Sequence, residues 1–221
     1  MVKPRVIACV FLLIASAGSG QRPLKNTTAN PLYPKAGLAI AGVRLGMTPP
    51  EVAAAAKASG YRRTEQRMGE TWDGRIAHLL ALHRSIRVPA SGQIVRREEY
   101  WKGEEQLQVE YDATELGAMV ATVRYELGPN AITSDAFKEA ALARYGSPTR
   151  PGDSEMMYCS LGEVSCTPIP FPVAMQEPHI VVDMPLRAIT LNMGERLRRS
   201  RHAAERAEMN RRAPQVKRPT L

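Results

Sequence analysis

Residues 107–127, LQVEYDATELGAMVATVRYEL, decide the fold class. Apolar residues occupy every second position in residues 107–111 and again in residues 119–127. This alternation is typical of antiparallel strands that bury one face and leave the other in solvent. Residues 94–101 form a further strand before them. We therefore predict three consecutive antiparallel strands in the middle of the chain.

Helix signals precede these strands. Thr48 and Glu51 have the spacing of a capping box, in which each residue satisfies a free N–H group of the other at a helix start. The alanine-rich helix that follows is predicted to end before Gly60, because glycine is favoured just after a helix. Residues 73–84 repeat apolar side chains at helical spacing and predict a second helix.

The second half of the chain resembles a shorter version of the first. Ser134 is a candidate N-cap, and Gly146 ends the predicted helix at the same distance that separates Thr48 from Gly60. Two further strands are predicted, at residues 180–184 and 187–193.

The predicted fold class is therefore α+β, with two degenerate units of helices packed on antiparallel sheet. The first unit, residues 38–128, has the order α-α-β-β-β, and the second, residues 129–194, has the order α-β-β. A basic helix or tail, residues 195–221, completes the chain. The sequence leaves open whether the two units share one sheet.

The first 20 residues have the pattern of a secretory signal peptide, with a short basic region, an apolar run and small residues. We predict cleavage near Ala17 or Gly20, a polar linker at residues 21–37, and a periplasmic or secreted protein. The apolar run is too short to span a bilayer. We predict that Cys9 is not lipidated, because a lipidated cysteine follows the apolar region and here apolar residues still come after Cys9.

The composition is that of a globular protein, with 221 residues, 44% hydrophobic and 24% charged. The net charge is +8, but nine basic and only three acidic residues lie in residues 195–221. The excess of basic residues therefore lies in residues 195–221 and not in the globular part of the chain. A nucleic-acid-binding protein is expected to carry a basic face on its fold, so the net charge does not predict nucleic-acid binding.

The basic tail allows two interpretations. We favour a solvated helix that frays into a disordered end, since charge runs are usually solvated. The alternative is weak electrostatic contact of Arg198, Arg199 and Arg201 with an anionic membrane surface or an acidic envelope partner.

Cys159 and Cys166 are the two cysteines left after removal of the signal peptide. In an oxidising compartment, two cysteines so close in sequence predict one disulfide that closes a small loop. Their spacing matches neither a redox motif nor a zinc site.

The sequence contains no motif of a known catalytic, metal or cofactor site, so we predict none. Glu98 and Glu99 are adjacent carboxylates, but neighbours in a strand point to opposite faces and cannot form a catalytic pair. His179 is the remaining candidate for a small hydrolase site, and a surface histidine is the simpler interpretation.

Tyr100 and Trp101 border the first predicted hairpin. Core packing is the simpler interpretation for both residues, because the chain has few aromatic residues. The alternative is an aromatic contact patch, since these residue types are favoured at the centres of protein interfaces.

Residues 42–52, GVRLGMTPPEV, and residues 144–148, RYGSP, carry a resemblance to small bacterial envelope modules. These segments resemble the β-lactamase-inhibitor-like modules and the SmpA/OmlA (BamE-like) outer-membrane assembly lipoproteins, although a lipidation site is missing here. The resemblance implies helices on an antiparallel sheet and a role through protein–protein contact. We therefore expect an exported, non-catalytic binding or accessory module with an unknown envelope protein as partner. A periplasmic enzyme inhibitor is the alternative.

Overall fold

The computed structural model describes residues 38–85, 92–160, 168–169 and 174–213. The helices are α1 (Pro49–Ala58), α2 (Trp72–Arg84), α3 (Ser134–Tyr145) and α4 (Gly194–Arg212). The strands are β1 (Arg62–Glu70), β2 (Gln93–Lys102), β3 (Glu105–Thr114), β4 (Gly117–Leu127), β5 (Glu155–Cys159), β6 (Pro168–Ile169), β7 (Ala174–Met175), β8 (His179–Asp183) and β9 (Ala188–Asn192). The predicted α+β class is confirmed.

Seven of the strands form one antiparallel sheet in the order β1-β2-β3-β4-β9-β8-β5, and β6 and β7 form a separate pair. Each half of the chain contributes a meander, β2-β3-β4 from the first half and β5-β8-β9 from the second. The two meanders join where β4 pairs with β9, from Thr122 opposite Asn192 to Glu126 opposite Ala188. The sheet is therefore continuous across both halves.

The main core lies between one face of this sheet and the helices α1 and α3. Its apolar side chains come from alternate positions of the strands, as the sequence predicts, and include Leu107, Val109, Val123, Ile180 and Leu191. The two helices contribute only four buried residues to it, Val52, Ala56, Phe137 and Ala141, so the strands supply most of its buried side chains. Burial of this area is the main source of stability.

The predicted cap at the start of α1 is confirmed. The Glu51 carboxylate accepts hydrogen bonds from the backbone N–H of Thr48 (2.7 Å) and from its hydroxyl group (2.8 Å). At the other end, Gly60 has a φ of +84°, a conformation that glycine adopts without steric cost. Its N–H group donates to the carbonyl oxygen of Lys57.

The predicted cap at the start of α3 is wrong by one residue. Thr133 is the N-cap, and its side chain accepts from the N–H of Ala136, whereas Ser134 is already the first helical residue. Both residue types can cap a helix, so the sequence alone does not choose between neighbours. The predicted end is confirmed, because α3 finishes at Tyr145 and Gly146 follows with a φ of +76°.

Two strands of the large sheet lie where the sequence analysis predicts none. β1 has the sequence RRTEQRMGE, which has almost no apolar residues, and it forms the edge of the sheet through its pairing with β2. β5 forms the opposite edge through its pairing with β8. The observed order is therefore α-β-α-β-β-β in the first half, since β1 precedes α2.

Candidate functional site

Glu98 on β2 is completely buried in the main core, where its carboxyl group accepts four hydrogen bonds. Tyr100 and Tyr111 donate their hydroxyl groups to Oε2, at 2.7 and 2.5 Å. Arg63 and Gln66 of β1 donate to Oε1, at 2.8 and 3.0 Å. We call these five residues the Glu98 cluster, and it attaches the polar edge strand to the core.

The Glu98 cluster is saturated, because a carboxylate offers about four acceptor positions. Burial raises the pKa of Tyr100 and of Tyr111, and the hydrogen bonds to Glu98 raise both further. The two hydroxyl groups therefore keep their protons and donate over the whole ordinary pH range. The geometry is that of a structural cross-link between β1, β2 and β3.

Tyr100 is thus a core residue, and the hypothesis that it belongs to a contact patch is wrong. It is 2% exposed and uses its hydroxyl group inside the core. Trp101, the next residue, points to the opposite face of the sheet and is 41% exposed. Of the two aromatic candidates, only Trp101 is available to a partner.

The sheet face around Trp101 is polar, and its charges are already paired with one another. Glu99 accepts from Arg97 at 2.5 Å and from the side-chain amides of Gln106 and Gln108, and Arg124 pairs with Glu126. We call this surface the polar sheet face; it comprises Arg97, Glu99, Trp101, Gln106, Gln108, Arg124 and Glu126. Glu98 and Glu99 lie on opposite faces, as the sequence predicts.

Helix α4 has the predicted position, but it is not solvated on all sides as predicted, because one of its faces packs on α2 and on the sheet. Its Met209 is buried with Trp72, Ile76 and Leu80 of α2 in a second apolar cluster. Arg201 pairs with Asp112 of β3, whose neighbour Tyr111 faces the main core. Because adjacent strand residues face opposite sides, α4 lies on the sheet face away from α1 and α3.

Polar contacts also hold α4 in place. Arg75 of α2 donates to Glu205 at 2.5 Å, and Arg212 pairs with Asp73. Arg201, proposed above as part of a basic contact surface, has only 17% of its side chain exposed. Arg198 and Arg199 lie on the exposed side of the helix, and Arg199 pairs with Glu195 at 3.1 Å. Contact of these two arginines with an anionic surface stays a prediction.

We expect Glu205→Gln to destabilise the protein in a pH-dependent way. Burial raises the pKa of Glu205, but the hydrogen bond and charge of Arg75, with His202 and Arg201, lower it below the ordinary value of 4.5. The ionised carboxylate therefore stabilises the folded state above pH 4.5, and this contribution is lost as the pH falls through the lower folded-state pKa. The expected loss at pH 7 is about 1–3 kcal/mol.

Urea unfolding of wild type and Glu205→Gln at pH 7 and at lower pH checks this prediction. The difference in unfolding free energy should shrink below pH 4.5. Glu104→Gln is the matched control, because Glu104 is exposed and its replacement should have little effect at either pH. A difference that is independent of pH would contradict the electrostatic explanation.

His179 is buried, with 8% exposed, so its interpretation as a surface residue is wrong. Its Nδ1 lies 2.9 Å from the carbonyl oxygen of Glu177, and burial lowers the pKa of its imidazole. Cys159 lies opposite His179 in the register of β5 and β8. Cys166 lies outside the described residues, so the disulfide stays a prediction, as does a hydrolase site at His179.

Within the described part of the chain, no three or more His, Cys, Asp and Glu side chains are grouped so that they could hold a metal ion. No helix there is both long and apolar enough to cross a membrane. No protein-family model matches the sequence, and no curated protein and no solved structure matches it either. The resemblance to small envelope modules therefore stays a prediction.

Proposed function

We propose that this chain is an exported, non-catalytic binding module of the bacterial cell envelope, and that the polar sheet face around Trp101 contacts a partner protein. The observation that carries the proposal is the exposed indole of Trp101 on a sheet face whose charges are paired internally. Tryptophan is among the residue types that contribute most to protein interfaces. Export and the envelope location rest on the N-terminal sequence pattern.

The paired charges of the polar sheet face favour a protein partner. A buried charge is costly when it has no partner. Arg97 and Arg124 already have carboxylate partners on the same face, so a partner that covers them leaves no charge unpaired. The face is also close to neutral, which does not suit a strongly charged polymer.

The edge strand β1 does not favour binding by strand addition. Its pairing with β2 contains two register shifts, between Arg63 and Glu65 and between Arg67 and Met68, and its side chains are mostly charged and exposed. Irregular, charged edge strands resist pairing with another strand. The polar sheet face is therefore a better contact surface than the β1 edge.

Photo-crosslinking tests this proposal in cells that export the protein. With p-benzoylphenylalanine in place of Trp101, we expect one discrete adduct with an envelope protein. The matched control carries the same amino acid in place of Leu82, an apolar residue of α2 that is 68% exposed, and it should not give that adduct.

Sequencing of the exported protein should place its N-terminus near residue 18 or 21.

The crosslinked protein then allows a direct measurement of affinity. Trp101→Ala should weaken binding by about 2 kcal/mol, roughly a thirtyfold increase in the dissociation constant. Leu82→Ala should leave the affinity unchanged. Equal adducts from both positions, or equal binding by Trp101→Ala and wild type, would rule out the polar sheet face as the contact surface. Loss of the partner's enzymatic activity on binding would identify the module as an inhibitor.

A further inference from the structure

A cleft of about 720 Å³ lies on the other face of the sheet, between the start of the described chain and α3. One wall comes from residues 40–42 and Ser59, and the other comes from α3. This cleft is independent of the polar sheet face, because Tyr125 on its floor is a member of the main core.

The cleft exists because α3 presents alanines to it. Ala136, Ala140 and Ala143 line the cleft and lie at the spacing of one helix face. Larger side chains at these positions would fill the space between α3 and the opposite wall. The volume is within the range of about 300–1,000 Å³ that is usual for small-molecule sites.

The floor of the cleft is deep and apolar. Six of its lining residues are members of the main core, with only 2–9% of each residue exposed; they are Ile40, Tyr61, Tyr125, Phe137, Ala141 and Ile189. Leu127 and Ile132 extend this lining. A molecule that enters the cleft would therefore exchange water for contact with apolar side chains.

The charged groups of the cleft compensate each other. Lys102 Nζ lies 3.5 Å from Glu105 Oε1, and the Tyr61 hydroxyl donates to Glu105 Oε2 at 2.6 Å. The two other charged lining residues, Glu139 and Arg144, have opposite signs. An ionic ligand would lose its hydration against the apolar floor, and the Lys102–Glu105 pair beside that floor offers it no unpaired counter-charge.

From the volume, the apolar floor and the balanced charges, we infer that the cleft binds a small uncharged molecule with a mostly apolar body. Lys102 and Glu105, whose side chains are 48% and 21% exposed, supply the polar groups that can orient one polar end of the ligand.

Two fluorescent probes with the same aromatic skeleton test the inference on the full exported chain. N-phenyl-1-naphthylamine is uncharged, and 1-anilinonaphthalene-8-sulfonate adds one sulfonate. The uncharged probe should bind at one saturable site with a blue-shifted emission, and the anionic probe should bind at least about tenfold more weakly. Binding of the uncharged probe should change less than about twofold between low and high salt.

Variants of α3 locate the binding site. Ala140→Phe places a ring in the cleft and should weaken binding of the uncharged probe by about tenfold or more. Ala143→Phe at the exposed end of the same face is a second blocking variant, and it keeps the test available if Ala140→Phe does not fold. Leu142→Phe is the matched control, because Leu142 belongs to the same helix but does not line the cleft.

Three results would overturn the inference. The first is an absence of saturable binding of the uncharged probe to wild type. The second is equal probe affinity in wild type and in a folded blocking variant. The third is binding of the sulfonated probe that is as tight as binding of the uncharged one.

Discussion

Replacement of Glu98 by alanine should lower the free energy of unfolding by about 3–5 kcal/mol. The substitution removes the acceptor of four hydrogen bonds, and it leaves the hydroxyl groups of Tyr100 and Tyr111 without their carboxylate acceptor in the core. It also disconnects Arg63 and Gln66, the two side chains that attach β1. Such a loss is a large part of the roughly 5–15 kcal/mol by which domains are stable.

Urea unfolding followed by circular dichroism measures this effect. Glu110→Ala is the matched control, because Glu110 is an exposed glutamate of the neighbouring strand, and we expect a change within about 0.5 kcal/mol. Tyr111→Phe removes one donor and should cost about 1–2 kcal/mol, which keeps the test informative if Glu98→Ala does not fold. A Glu98→Ala variant as stable as the control would show that the Glu98 cluster does not support the sheet.

Gly194→Ala should be the second most damaging substitution, with a loss of about 2–4 kcal/mol. Gly194 begins α4 with a φ of +77°, and a Cβ atom there would lie 2.5 Å from the backbone carbonyl of Glu177. Next to this contact, the N–H group of Arg196 donates a hydrogen bond to the carbonyl oxygen of Gln176, which also holds the start of α4 in place. The added methyl group must therefore move the start of α4 away from the backbone of Gln176 and Glu177.

Gly103→Ala separates this steric effect from the cost of the backbone conformation. Gly103 has a φ of +59°, but a Cβ atom there meets nothing within 4 Å, so the expected loss is only about 1–2 kcal/mol. In Gly194→Ala, and not in Gly103→Ala, trypsin should also cleave the arginine-rich α4 faster. Equal losses in the two variants would mean that the contact with Glu177 does not hold α4.

The sequence predicts those elements whose apolar residues repeat at the period of the structure that they form. Residues 107–127 and helix α2 belong to this class, whereas α1 and α3 are predicted by the capping residues at their ends. β1 does not, because RRTEQRMGE shows no alternation, and its conformation is set by pairing with β2 and by the distant acceptor Glu98. Its strand character is a tertiary effect that a local pattern cannot contain.

Local sequence patterns also predict only part of the candidate sites. The alternation of strand residues correctly places Glu98 and Glu99 on opposite faces, but residue type alone suggests that both are exposed. The docking of α4 was missed because it depends on ion pairs with residues far away in the sequence, such as Asp112 and Asp73. The sequence does not predict the cleft, because the cleft is the space left open by the small side chains of Ala136, Ala140 and Ala143, and its opposite wall comes from a distant part of the chain.

The pairing of β4 with β9 has a consequence for how the protein can be divided. These two strands come from opposite halves of the chain, and each covers the hydrogen-bonding groups of the other. If the chain were cut between the halves and the fragments separated, each fragment would expose a strand that is paired on both sides in the intact sheet. We therefore expect that neither half folds as an independent module. A truncated protein that contains only one half should aggregate.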